Sequence, residues 1–195
     1  MKHFNSFDVG KRRREEERRS CQNQELTPFL SFPFLSACSL ALFVNPETRA
    51  AVPAHLTIKT DGLPFEALLS DWRWLVPPDY KPVLMTAFGD LFLRDEAGHI
   101  HFLNLMSGEF KEVAESQEEF GRLCEDREQR RSWFIGFLLT EVRKLRGELA
   151  AGQCYSCKTP LSLGGQLEAD NFERTDLQVH YSILGQLHRQ TVTGQ

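Results

Sequence analysis

The chain has 195 residues, with 23 basic and 27 acidic side chains, a formal charge of −4, 41% hydrophobic and 26% charged residues. That is the composition of one globular domain of about 100–200 residues plus an appendage. It excludes a collagen-like or disulfide-dense scaffold, a polytopic membrane protein and a multi-domain machine. The bulk charge gives no reason to expect nucleic-acid binding.

The average hides a division near residue 55. Residues 1–55 hold eight basic and six acidic groups, which leaves 15 basic and 21 acidic groups, a net of −6, on residues 56–195. Lys11 to Arg19 reads KRRREEERR, a mixed-charge run without an apolar face that reads as a solvated or disordered stretch. Thr27 to Asn45 is uncharged and rich in Phe and Leu. Basic residues before such a run suggest a secretory signal or a marginal anchor, but Pro28, Pro33, the serines and the Glu15–Glu17 block speak against one. The favoured reading is a start codon placed too far upstream, with residues 1–55 a disordered or mis-annotated extension and residues 56–195 one cytoplasmic domain.

Within that domain, Asp61-Gly-Leu-Pro64 offers a helix start, followed by Phe65, Leu68, Leu69 and Trp72 at helical spacing and a stop at Pro77-Pro78. Apolar clusters at Val83–Phe88, Leu91–Leu93 and Ile100–Leu105, with Phe110–Val113 after them, are punctuated by Asp95-Glu-Ala-Gly98 and Ser107-Gly108. They predict an antiparallel meander of three to four strands. Ser116-Gln-Glu-Glu119 is a capping-box sequence that opens a helix through Phe120, Leu123 and Cys124. Beyond the polar stretch Glu125–Arg131, Phe134, Phe137, Leu138, Val142, Leu145 and Leu149 repeat by three and four and predict a long helix ending near Gly152. Gln153 to Gly165 reads as a loop. Thr175-Asp-Leu-Gln178 reads as a second capping box before a terminal helix, although Leu177, Val179, Tyr181 and Ile183 also fit strand alternation. The fold class is α+β, a meander packed with an N-terminal helix and several C-terminal helices.

Motifs of chemistry are sparse. Cys154-Tyr-Ser-Cys157 is a CxxC without the helix start that a redox pair wants, and without the further ligands of a structural zinc site. His99 and His101 share one face of a strand, a geometry that can hold a metal, with no carboxylate spaced to complete the shell. His180 and His188 fall two turns apart on the terminal helix and read as surface or rim residues. There is no GxSxG, GxxxxGK or GxGxxG, so neither an enzyme nor a cofactor is expected, and no metal is assigned. Trp72 and Trp133 fit the core, and Trp74 is the better interface anchor.

Several stations from about Leu63 to Gln190 carry a resemblance. They are Phe88-Gly89-Asp90, Ser116 to Phe120, GQCYS from Gly152 to Ser156, Pro160-Leu161, Leu163-Gly164-Gly165, Asn171, and Gly185-Gln-Leu-His-Arg-Gln190. In order and separation they resemble the C-terminal domain of type VI secretion immunity proteins, a former domain of unknown function often found behind a GAD-like domain and similar in broad shape to the SUKH immunity superfamily. The resemblance implies a non-enzymatic protein that binds and neutralises a secreted toxin, a DNase in the best-known case. An acidic domain suits a basic partner of that kind, while the plain alternative is that its charge serves solubility. The expected binding residues are Trp74, Gln153, Tyr155, Gly164, Gly165, Asn171 and His188, with an equal case for a structural role in the 153–165 segment. Neither nucleic acid nor membrane is an expected partner, and the oligomeric state is left open. The rival class is a small-molecule or metal-binding sensor built on that loop and the terminal-helix histidines.

Overall fold

The computed structural model describes residues 52–194. The charged run at Lys11–Arg19, the apolar run at Thr27–Asn45 and the expected disorder or mis-annotation of the extension lie outside the described residues, except that residues 52–55, the last of the expected extension, are described, with Val52 buried in the core. Among the described residues seven strands and five α-helices follow in chain order: β1 (Thr57–Ile58), α1 (Phe65–Leu68), β2 (Lys81–Thr86), β3 (Leu91–Arg94), β4 (Ile100–Asn104), β5 (Glu109–Ala114), α2 (Gln117–Glu125), α3 (Arg127–Phe134), α4 (Gly136–Arg146), β6 (Gln153–Cys157), β7 (Phe172–Asp176) and α5 (Leu177–Thr193). The α+β class and the meander stand as expected. The sheet has five strands rather than three or four, in the order β1-β2-β3-β4-β5, all antiparallel. β1 escaped notice because two residues are too few to show a period.

Neighbouring residues along the central strands face opposite ways and feed two cores. Leu84, Phe92 and Phe102 point to a cluster with Phe120, Trp133, Phe134, Leu138 and Val142, contributed by α2, α3 and α4. Met85, Leu91, Leu93 and Leu103 point to the other cluster, with Leu68, Leu69, Trp72, Leu177, Tyr181 and Leu184. The sheet is therefore buried on both faces, which is why its strands read as continuous apolar runs. Phe92 sits at the centre of the first cluster, its ring centroid 4.5 Å from Phe102, 4.8 Å from Phe120 and 5.1 Å from Trp133. Each such buried ring contributes roughly 1.5–3 kcal/mol by transfer from water. The same cluster reaches back to Val52, and the Arg143 guanidinium donates to the His55 carbonyl at 2.8 Å.

The helices differ from expectation in their ends. Pro64 flanks α1 as its N-cap instead of standing in the first turn, and α1 gives way after one turn to a 3₁₀ segment, Ser70–Trp72. Ser116 caps α2 by accepting the Glu119 amide at 3.2 Å, while the Glu119 carboxylate accepts from Glu115, one residue before the cap. The polar stretch 125–131 belongs largely to α3, whose cap is Asp126, accepting from Gln129 at 2.8 Å. Ile135, held at φ +44, separates α3 from α4, and α4 ends at Gly147 rather than Gly152. As a result Leu149 lies beyond the helix, and Phe137 and Leu145 are exposed. The terminal element is helical, capped by Asp176 and not Thr175: its carboxylate accepts from Gln178 and Val179 at 2.8 and 3.2 Å.

The largest correction concerns 153–165. Gln153–Cys157 is strand β6, paired antiparallel with β7 from Gln153↔Asp176 to Cys157↔Phe172. The Tyr155 amide donates to the Ala87 carbonyl at 3.0 Å, so this hairpin is tied to the turn between β2 and β3. Cys154, Tyr155 and Cys157 are the apolar residues of β6 and Phe172 alone is apolar in β7, a pattern too weak to distinguish from a loop.

Candidate partner-binding site

The turn between β2 and β3 is the polar node of the fold. Asp90 is buried, with Oδ1 accepting the Leu105 amide at 2.9 Å and Oδ2 accepting the Thr86 hydroxyl at 3.1 Å. Burial disfavours its charged form and outweighs these bonds, pushing its pKa up to about 6. From α5, the Tyr181 hydroxyl donates to the Gly89 carbonyl at 2.6 Å, and Trp72 Nε1 donates to the Tyr181 carbonyl at 2.9 Å. His180 packs under Gly89, with Nδ1 2.8 Å from the Ser156 hydroxyl. Its Nε2 lies buried against the Phe88 backbone without a well-formed hydrogen bond. Burial drives the His180 pKa down to about 4.

His180 and His188 are thus not rim residues; both are buried. Helix α5 presents them on the face that packs against the sheet turns, where glycine makes room. At Gly108, with φ +71, a Cβ would meet the His188 ring at 2.6 Å. His188 Nε2 stands 3.0 Å from the Leu105 carbonyl, and its ring lies 5.7 Å from Trp72.

The other expected binding residues fall around the β6–β7 hairpin. Tyr155 is buried, with its hydroxyl donating to the Gly147 carbonyl at 2.6 Å. Gln153 accepts the Ala150 amide at 3.1 Å through its side-chain oxygen. Asn171 clamps the connection between β6 and β7. It accepts the Thr159 amide at 3.0 Å and donates to the Thr159 and Gln166 carbonyls, both at 2.9 Å. Gly165 belongs to this clamp, because a Cβ there would lie 1.9 Å from the Thr159 oxygen, while the neighbouring Gly164 is exposed. Trp74 is half-buried and stacks on Trp72 at 6.3 Å, well away from the hairpin in sequence and packed in the α5-side cluster.

Neither motif that suggested metal forms a centre. Among the described residues no group of three or more His, Cys, Asp or Glu side chains is disposed to hold an ion. His99 and His101 do meet carboxylates, which spacing alone did not reveal. His101 Nε2 is 3.2 Å from Asp95, and His99 Nδ1 is 3.4 Å from Glu112, so the four form a pairing network across the β3–β4 hairpin and β5. Among the described residues no helix is long and apolar enough to cross a membrane.

Charge is unevenly distributed along the chain. Residues 56–121 carry 12 acidic and five basic groups, whereas residues 122–146 carry four acidic and seven basic. The acidic half is densest from Glu109 to Glu119, with five glutamates against Lys111 alone. That segment includes β5, the sheet's terminal strand, and one wall of a groove of about 390 Å³. Phe102, Val113, Leu123 and Trp133 give the groove an apolar lining; Glu109, Lys111 and Glu119 bring charge to it. Sequence reasoning missed this place, though the alternation Glu109-Phe110-Lys111-Glu112 on a final strand was a signal for an exposed edge.

Residues 114–188 match the family model described as T6SS immunity protein Tdi1, C-terminal. Over these residues the chain is similar to the C-terminal segment of that immunity family. The match takes in α2 to β7 and α5 as far as His188, hence GQCYS, the Leu163-Gly164-Gly165 turn and Asn171; Phe88-Gly89-Asp90 lies upstream of it. No curated protein matches the chain. A solved structure described as the crystal structure of Atu4351 from Agrobacterium tumefaciens is similar at 20% identity and a TM-score of 0.44. The similarity covers 62% of this chain and 63% of that one, so this chain spans less than two-thirds of that protein's length.

Proposed function

We propose that the protein is a cytoplasmic, non-enzymatic immunity protein that binds a cognate secreted toxin and blocks its active surface. The observation that carries this reading is the match of residues 114–188 to the type VI immunity family. The acidic excess over residues 56–121 supports a basic toxin, such as a nuclease, as the partner: opposite fields speed the encounter and fix its orientation. A tight complex of this kind buries roughly 1,200–2,000 Å² in total. Of the binding residues expected from sequence, exposed Gly164 and half-buried Trp74, Gln153, Gly165 and Asn171 retain surface for direct contact. Tyr155, Asn171 and His188 serve the site by holding the hairpin and α5 in place.

The test is protection. Cells producing the type VI effectors of the source strain one at a time should regain growth when this chain is co-expressed with its cognate effector. The two purified proteins should then titrate at 1:1 in calorimetry. Growth restored by none of the effectors would overturn the reading.

A further inference from the structure

Among the described residues the outer edge of β5 is a long unpaired edge. The opposite edge is β1, only two residues long, whereas β5 runs for six residues and pairs only with β4 among the described residues. An unpaired edge carries a row of amides and carbonyls able to accept another strand, and proteins commonly protect such edges with charge. Here the charge is one-sided, since Glu109, Glu112, Glu115, Glu118 and Glu119 outnumber Lys111. Beside the edge lies the 390 Å³ groove between β5 and helices α2 and α3, partly lined with Val113 and Trp133. Cross-strand register puts Glu109 and Lys111 on the groove side of β5, with Asn104 and Phe102, and puts Glu112 on the other side, with His101. An added strand would therefore meet carboxylates on both faces and an apolar recess on one.

From this combination we infer that β5 takes up an extended basic segment of a protein partner as a sixth strand. Backbone bonds along the edge give affinity, lysine or arginine side chains on one face meet Glu112, and the alternating apolar side chains on the other face enter the groove over Val113, beside Glu109. The inference rests on the toxin-binding reading for the partner's identity, and on the edge, the groove and the charge for its chemistry.

The test uses the full chain, labelled with ¹⁵N, and two synthetic peptides, acetyl-KVKVKVK-amide and acetyl-EVEVEVE-amide. The basic peptide is expected to bind at least tenfold more tightly than the acidic one, to shift the amides of residues 109–114, and to slow their hydrogen exchange. The exposed double substitution Glu109→Lys/Glu112→Lys should weaken it at least tenfold. Ser132→Trp, which fills the groove from α3 without altering charge, should weaken it as well. Equal binding of both peptides, or amides 109–114 left unchanged, would overturn the inference. The protection assay separates the two readings. A wild-type chain that protects, together with an E109K/E112K variant that protects equally, overturns the edge and leaves immunity standing. Failure of the wild type to protect overturns immunity, while the peptide result still decides the edge.

Discussion

The Asp90 carboxylate accepts the Leu105 amide at 2.9 Å and so ties the turn between β2 and β3 to the residue just after β4. On the other side of the same turn stands His180 from α5. Both are buried ionisable groups, and burial moves them in opposite directions. His180, held down to about 4, stays neutral in the fold at pH values where the unfolded chain protonates it. Unfolding takes up that proton, so the stability His180 contributes is complete above about 6.5 and falls as pH drops toward 4. Asp90, pushed up to about 6, holds its proton in the fold where the unfolded chain has released it. Its contribution is greatest in acid and falls as pH rises through 6.

Between about pH 4 and 6 these slopes cancel, and removing either residue exposes the other. Relative to wild type, Asp90→Asn should lose roughly 3 kcal/mol more on acidification from pH 7 to 4, and His180→Asn should gain roughly 3 kcal/mol over the same range. Urea melts of the three proteins at half-unit pH steps would measure this. Parallel curves would show that the two groups titrate normally.

Tyr155 illustrates how a recognisable residue can serve the frame. Its ring is buried against Phe88 and its hydroxyl reaches the Gly147 carbonyl just past α4, at 2.6 Å. Tyr155→Phe keeps the ring and leaves that carbonyl without its donor, at a cost of about 1 kcal/mol and a fall in Tm of about 3 °C. Toxin affinity should be unchanged in calorimetry. A loss of affinity with an unchanged Tm would place the hydroxyl at the interface instead.

The turn at Gly164 and Gly165 should divide sharply on substitution. Gly164 has φ +89 with open space around it, so Gly164→Ala meets only backbone strain, about 1 kcal/mol. Gly165→Ala drives a methyl group into the Thr159 carbonyl and must undo the Asn171 clamp, at about 1–3 kcal/mol. Limited proteolysis would follow the clamp directly: cleavage within 158–166 should accelerate in Gly165→Ala and in Asn171→Ala, and little in Gly164→Ala. Similar cleavage in all three would mean that the clamp does not hold the segment.

What the sequence disclosed follows physical lines. The central strands were legible because a sheet buried on both faces produces unbroken apolar runs such as Leu91–Leu93. The cap of α2 was legible because Ser116 and Glu119 are a local signal. β6 was not, since Gln153, Ser156 and Cys157 gain their strand conformation from pairing with β7, some twenty residues on. His180 and His188 looked superficial because polarity says nothing about a glycine opposite, and Gly89 and Gly108 are what admit their rings. For the candidate site, the GQCYS and Leu163-Gly-Gly stations carry the family resemblance, but the open edge of β5 depends on which strand ends the sheet, a property of topology that no local pattern encodes.

Cys154 and Cys157 give the remaining prediction. A strand advances about 3.3 Å per residue, so residues three apart are separated by roughly 10 Å, beyond the span of about 7 Å that a disulfide can bridge. The two thiols also join different apolar clusters. Burial pushes the Cys157 pKa up to about 11, that of Cys124 up to about 12, and that of Cys154 higher still. Thiolate is the reactive form, so at pH 8 Cys157 should alkylate on the order of 100-fold more slowly in the fold than in urea, and Cys154 more slowly than that. Iodoacetamide labelling followed peptide by peptide in a mass spectrometer would give each rate separately. Rapid labelling of folded Cys157, or a Cys154–Cys157 disulfide in air-oxidised protein, would restore the redox reading of the CxxC and require β6 to open.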